Sequence, residues 1–188
     1  TTLWGQGFEN NFPGLFDSYG GVINPKIDAD GNVNAVVMGT DTELMGFLID
    51  PALFYGVRAT NESNVSIHNN VITGHGVGGI LIENTDGGNH SGFSIVGNTI
   101  TENGGYYGGF GVRVVNSSGS NSSDFSIHGN TIGATDSYYG NNSHGIYITN
   151  NDGGSVLDNV SIMGNTIQGN NGDGISLDNN SDNTATNF

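Results

Sequence analysis

Apolar and polar residues alternate along most of this chain in one phrase that returns four times, at residues 64–73, 92–101, 124–133 and 159–168. Val65 and Ile67, Phe93 and Ile95, Phe125 and Ile127, and Val160 and Ile162 hold its alternate positions. A period of two marks a strand with one face buried. The phrase then bends and resumes as a second short strand. A further phrase follows each copy, at 79–84, 111–116, 145–150 and 174–179, again with Ile, Val or Leu at alternate positions. A weaker, earlier turn occupies 44–50 and 56–61.

Self-similarity at a period of a few tens of residues is the signature of a solenoid, in which no repeat buries its apolar edge alone and stacking makes the core continuous. Ile67, Ile95, Ile127 and Ile162 are separated by 28, 32 and 35 residues, more than the roughly twenty-odd residues of a minimal coil. The excess is expected in loops at 86–91, 102–109, 117–123, 134–143 and 151–158, where Gly, Asn, Ser and Asp crowd together. Asn70, Asn98, Asn130 and Asn165 fall at one corner of successive coils and are expected to form an asparagine ladder, each also tolerating the bend there. Asn61, Asn84, Asn116, Asn150 and Asn179 make a second expected ladder. The expected fold is all-β, a parallel β-helix solenoid of about five to six coils in a single domain. Residues 1–34 read as irregular N-terminal turns, 35–180 as regular coils and 181–188 as a tail.

Composition sharpens this. The chain of 188 residues has 33 Gly and 28 Asn, the residues that best accept left-handed backbone. Long helices are not expected. Only 11% of residues are charged, yet 18 acids stand against Lys26, Arg58 and Arg113, a net charge of −15. Nucleic acid is excluded as a partner, because phosphate binding depends on Lys and Arg. No cysteine occurs, so redox arguments do not locate the compartment. No apolar run is long enough to span a membrane as a helix, and the start at Thr1 lacks a charged-then-apolar leader, so the chain reads as a processed or excised segment; neither end shows a clear cap, which is expected either of a piece of a longer solenoid or of end-to-end stacking.

The phrases FSIxGNTI and GIYITNN resemble the parallel β-helix repeats of the pectate-lyase-like superfamily, over roughly residues 35–180. The opening TLWGQGF and residues 37–50 resemble the early turns of secreted bacterial β-helix surface and passenger proteins. That resemblance implies a right-handed superhelix. It also implies one of two kinds of function: an extracellular surface module, or a polysaccharide lyase, hydrolase or epimerase. Fold alone does not choose between them.

Polygalacturonases of that superfamily carry NTD, DD, GHG and RIK in this order. Here Gly74-His75-Gly76 precedes Asn84-Thr85-Asp86, and DD and RIK are missing, so a hydrolase is not expected. A lyase or C5-epimerase must neutralise a uronate carboxylate and remove a proton. Arg58, Leu81, Arg113, Tyr147 and Ser176 should point outward from one strand position of successive coils, which brings Arg113 near Tyr147 and Glu83. These three are the catalytic candidates, set against a surface arginine satisfied by acidic neighbours.

The pairs Tyr106-Tyr107 and Tyr138-Tyr139 follow their ladder asparagines at matching distances and should be neighbours. Their rings, with Asp136, are the expected glycan-binding residues, against a simpler role in anchoring loops. Asp28, Asp30 and Asn32 resemble the front of a calcium loop without its closing acid, so Ca²⁺ is weighed there against a plain turn, and no cofactor is required. Eight N-x-S/T sequons make glycosylation a matter of the host. The reading is a secreted or cell-surface β-helix, adhesive or structural, with glycan binding or filament formation by end-to-end stacking as its expected activity. The alternative is a Ca²⁺-assisted lyase or epimerase of acidic polysaccharide.

Overall fold

In the computed structural model, the residues described are 2–4, 26–28, 34–105, 108–135, 140–180 and 182–188. They form no helix. Three parallel sheets run the length of the stack, and the chain visits them in rotation. The first contains β1 (Thr2–Trp4), β4 (Thr42–Met45), β7 (Val65–His68), β10 (Asn89–Val96), β13 (Asn121–His128), β16 (Val156–Met163) and β19 (Thr184–Thr186). The second contains β2 (Lys26–Asp28), β5 (Leu48–Asp50), β8 (Val71–Thr73), β11 (Thr99–Thr101), β14 (Thr131–Gly133) and β17 (Thr166–Gln168). The third contains β3 (Asn34–Met38), β6 (Tyr55–Thr60), β9 (Gly78–Asn84), β12 (Phe110–Asn116), β15 (Ile146–Asn150) and β18 (Ile175–Asn179). Each strand pairs in register with its equivalent one coil away. This is a parallel β-helix, and β1 and β2 carry its first and second sheets into the segment before residue 34.

The core follows from the alternation. Leu44, Ile67, Ile95 and Ile127 stack from the first sheet, Ile49, Ile72, Ile100 and Ile132 from the second, and Val57, Ile80, Val112 and Ile146 from the third, all buried. Burying one such side chain is worth about 1.5–3 kcal/mol. Phe93 and Phe125 stack inside the core with centroids 4.5 Å apart. At the far end Ile175 and Leu177, equivalents of the buried Ile146 and Ile148, are 51% and 43% exposed.

Two columns of left-handed residues shape each coil. Asp41, Asn64, Gly92, Asp124, Asn159 and Asn187 form one, and Gly46, Asn69, Gly97, Gly129 and Gly164 the other, all with φ between 53° and 79°. The second column corrects an expectation: the bend lies one residue before the ladder asparagine. The first column explains another difference. Residues 89–91, 121–123 and 156–158, expected in loops, are strand and stay in register, Asn89 opposite Asn121 opposite Val156. A left-handed residue at Gly92, Asp124 and Asn159 lets each strand run on past the repeat phrase without breaking the sheet.

The first asparagine ladder is continuous. Asn70, Asn98 and Asn130 each donate Nδ2 to the Oδ1 of the next rung at 2.9–3.1 Å, and their backbone N–H groups donate to the same oxygens at 2.9 Å. The second is shorter than expected. Asn116, Asn150 and Asn179 are joined at 2.7–2.8 Å, but Asn84 donates to the Ser122 hydroxyl, which in turn donates to Asn116 Oδ1 at 2.6 Å. Asn61, itself left-handed, accepts the Thr85 N–H instead of bonding to Asn84. A third, unexpected ladder runs through His75, Asn103, Asn141 and Asn170 at the corner between the second and third sheets.

Beside that third ladder lies a column of glycines, Gly79, Gly111 and Gly145. A Cβ on any of them would stand 2.5–2.6 Å from an isoleucine methyl of the second sheet and 2.6–2.7 Å from the next coil's carbonyl oxygen. The chain can turn this close to the stacked amides only without a side chain. The outward residues on either side of this column are thereby held in a fixed grid.

Candidate functional site

That grid carries the main concentration of aromatic and cationic groups described on the surface. Phe110 precedes Gly111 and His144 precedes Gly145, so the two sit one above the other. Three residues on, Arg113 pairs with Tyr147 in the register that runs Arg58, Leu81, Arg113, Tyr147, Ser176. Four half-buried side chains therefore occupy a two-by-two patch on the outer face of β12 and β15. The rings lie nearly parallel. Phe110 and Tyr147 are 5.1 Å apart at 13°, His144 and Tyr147 5.1 Å at 28°, and Phe110 and His144 5.9 Å at 18°. The Arg113 guanidinium carbon stands 5.2 Å from the Phe110 centroid and 5.8 Å from that of Tyr147.

Hydrogen bonds fix the rings. The Tyr147 hydroxyl donates to Asp178 Oδ2 at 2.6 Å, and this bond holds the phenol above its ordinary pKa. His144 Nδ1 accepts the Asp173 N–H at 2.9 Å, while the Asp173 carboxylate lies 3.4 Å from the same nitrogen. A nitrogen that accepts an N–H carries no proton, so the bond from the Asp173 N–H and an ion pair with its carboxylate are alternatives at this one atom.

The three catalytic candidates do not assemble as a unit. Arg113 and Tyr147 are neighbours, but Glu83 pairs with Arg58 at 2.8 Å, in the register position of Val115 and not of Arg113. Tyr147 is held protonated. Tyr106, Tyr107, Tyr138, Tyr139 and Asp136 lie outside the described residues, as do Asp30, Asn32 and the side chain of Asp28. Among the described residues no group of three or more His, Asp or Glu is placed to hold a metal ion. Of the two short motifs, His75 is buried within the third ladder, and Asp86 receives a 2.8 Å bond from His90 that, with the Gly88 N–H, lowers its pKa.

Phe110 and His144 were not among the expected site residues. The signal for them is present in the sequence: aligning the second phrase on Gly79, Gly111 and Gly145 places Phe110 and His144 in one column, three residues ahead of Arg113 and Tyr147.

No protein-family model matches the chain, and no curated protein or solved structure is similar enough to it to count as a relative. The parallel β-helix rests on the in-register pairing of its three sheets.

Proposed function

We propose that this chain is an extracellular or cell-surface β-helix module, adhesive or structural in role, that binds glycan on the outer face of its third sheet. The observation that carries the reading is the stacked cluster of Phe110, His144 and Tyr147 on rigid strands, with Arg113 beside it. Sugar rings present C–H faces that pack on aromatic rings, and polar groups at the rim give orientation. Asp173 and Asp178 supply acceptors along one edge, and both are exposed. A solenoid suits adhesion, since its face repeats along the stack and each coil is braced by its neighbours.

The rival lyase or epimerase reading has Arg113 in its favour, but of its other two candidates Tyr147 is held protonated and Glu83 is engaged by Arg58. A glycan array on the wild type, on Phe110→Ala and Tyr147→Ala, and on the Tyr106→Ala/Tyr138→Ala double variant tests the binding reading. Signals that weaken in the first two variants support it. Signals unchanged in every variant, or none from the wild type, would sink it. Ultraviolet absorbance during incubation with pectate or alginate tests the rival, since a lyase creates an absorbing unsaturated uronate.

A further inference from the structure

Three cationic side chains serve a chain of net charge −15. Lys26 meets Asp50 at 3.2 Å and Arg58 meets Glu83 at 2.8 Å. Arg113 meets no carboxylate among the described residues, and its Nε is buried without an acceptor. Its neighbour on one side is Leu81 and on the other Tyr147. Among the described residues the Arg113 guanidinium contacts the rings of Phe110 and Tyr147 and donates to no protein acceptor, which leaves it placed to pair with an anion carried by a ligand.

We infer that Arg113 recognises a single anionic substituent, a carboxylate or a sulfate ester, on an otherwise neutral glycan whose sugar ring packs against the Phe110 and Tyr147 cluster. This rests on the glycan-binding reading and names the ligand class for it. The charge balance selects a sparsely charged ligand over a polyanion. One arginine can hold one anionic group, whereas each further charge on the ligand meets the field of a strongly acidic protein. The guanidinium fork donates equally well to two oxygens of a carboxylate or of a sulfate, so the chemistry of the two sources is shared.

The test uses four defined ligands in titration calorimetry: an unbranched xylo-oligosaccharide, the same chain bearing one glucuronic acid, the same chain bearing one sulfate ester, and trigalacturonate. The Nε–H resonance of Arg113 is followed by NMR in parallel. One anionic group is expected to tighten binding at least about tenfold over the neutral chain. Arg113→Gln should abolish that gain, Arg113→Lys should restore part of it, and Phe110→Ala should weaken neutral and anionic chains alike. Circular dichroism confirms that each variant keeps its strands. Whichever singly charged chain binds more tightly identifies the group.

Equal binding of neutral and singly charged chains overturns the inference while leaving the glycan reading intact, as does a gain that survives Arg113→Gln. Tighter binding of trigalacturonate overturns the sparse-charge selection. Should no glycan bind, inorganic sulfate separates the two claims. A shifted Arg113 Nε–H resonance keeps the anion site and discards the glycan, and an unmoved one discards both.

Discussion

His75 occupies the rung before Asn103 and makes with its imidazole two of the three bonds that Asn103 makes with its amide. Nδ1 accepts the Ala52 N–H at 2.9 Å as Asn103 Oδ1 accepts that of His75 at 3.2 Å. Nε2 donates to the Ile49 carbonyl at 3.2 Å as Asn103 Nδ2 donates to that of Ile72 at 3.4 Å. One buried ring thus stands in for a ladder amide, and the acceptor role of Nδ1 requires the neutral form.

Stability should therefore depend on pH through His75. Burial lowers its pKa from 6.5 to about 4. Between those values the unfolded chain binds a proton that the folded chain refuses, so the contribution is complete above pH 6.5 and is lost as pH falls toward 4. The loss amounts to about 3 kcal/mol across the window. Urea unfolding at pH 7 and pH 4.5, on wild type and on His75→Asn, measures it. The asparagine keeps the ladder chemistry without the proton, so the difference between the two proteins should shrink or reverse at the lower pH. Parallel pH profiles would show that the ring is not the titrating group.

Asn98→Ala removes an interior rung. It leaves the buried Asn70 N–H without its acceptor and the Ile67 carbonyl without its donor, and it breaks the bond to Asn130. A cost of about 3–5 kcal/mol is expected in urea unfolding. Asn98→Asp keeps the acceptor but strands the Ile67 carbonyl, and should also destabilise. Asn165→Ala, at a half-buried rung that water reaches, should cost about 1–2 kcal/mol. Equal losses at Asn98 and Asn165 would mean that burial does not set the value of a rung.

The solenoid was legible because its cause is periodic: Ile67, Ile95, Ile127 and Ile162 recur with the same polar neighbours, and one face must be buried. The first ladder was legible for the same reason. The third was not, because its first rung is a histidine, and Asn103 and Asn141 sit in segments that composition assigns to loops. Register misled at Asn61 and Asn84, where a left-handed residue and the Ser122 hydroxyl interrupt a column that spacing makes look continuous. At the patch, the pairing of Arg113 with Tyr147 follows from strand position. The engagement of Glu83 by Arg58 depends on side-chain reach between coils, which alternation does not encode.

Two glycine-to-alanine changes should separate space from conformation. Gly111→Ala drives a Cβ to 2.5 Å from the Ile132 methyl and 2.6 Å from the Gly145 carbonyl oxygen, and the backbone atom cannot move aside. About 2–4 kcal/mol is the expected cost. Gly129→Ala has nothing within 4 Å and suffers only its left-handed φ of 62°, about 1 kcal/mol. Gly129→Asn should cost less than Gly129→Ala, since Asn69 holds the same position two coils earlier in the column. Thermal unfolding of the three variants orders them. A Gly111→Ala protein as stable as Gly129→Ala would mean that the coil spacing at the third ladder yields.

The aromatic patch can be tested without any ligand through the bond between Tyr147 and Asp178. The carboxylate accepts the phenol proton at 2.6 Å, and this, more than burial, raises the pKa of Tyr147, with Arg113 opposing weakly. Asp178→Asn removes both the charge and the strong acceptor, so Tyr147 should ionise at lower pH than in the wild type. Absorbance at the tyrosinate band, read against a Tyr147→Phe protein to isolate the one residue, follows the titration. Arg113→Gln should act in the opposite sense and raise it further, because the guanidinium favours the phenolate. If Asp178→Asn leaves the curve in place, the hydroxyl is not held there. Tyr147 would then be free to rotate out of the stack with Phe110, and a binding face that depends on preordered rings would lose its anchor.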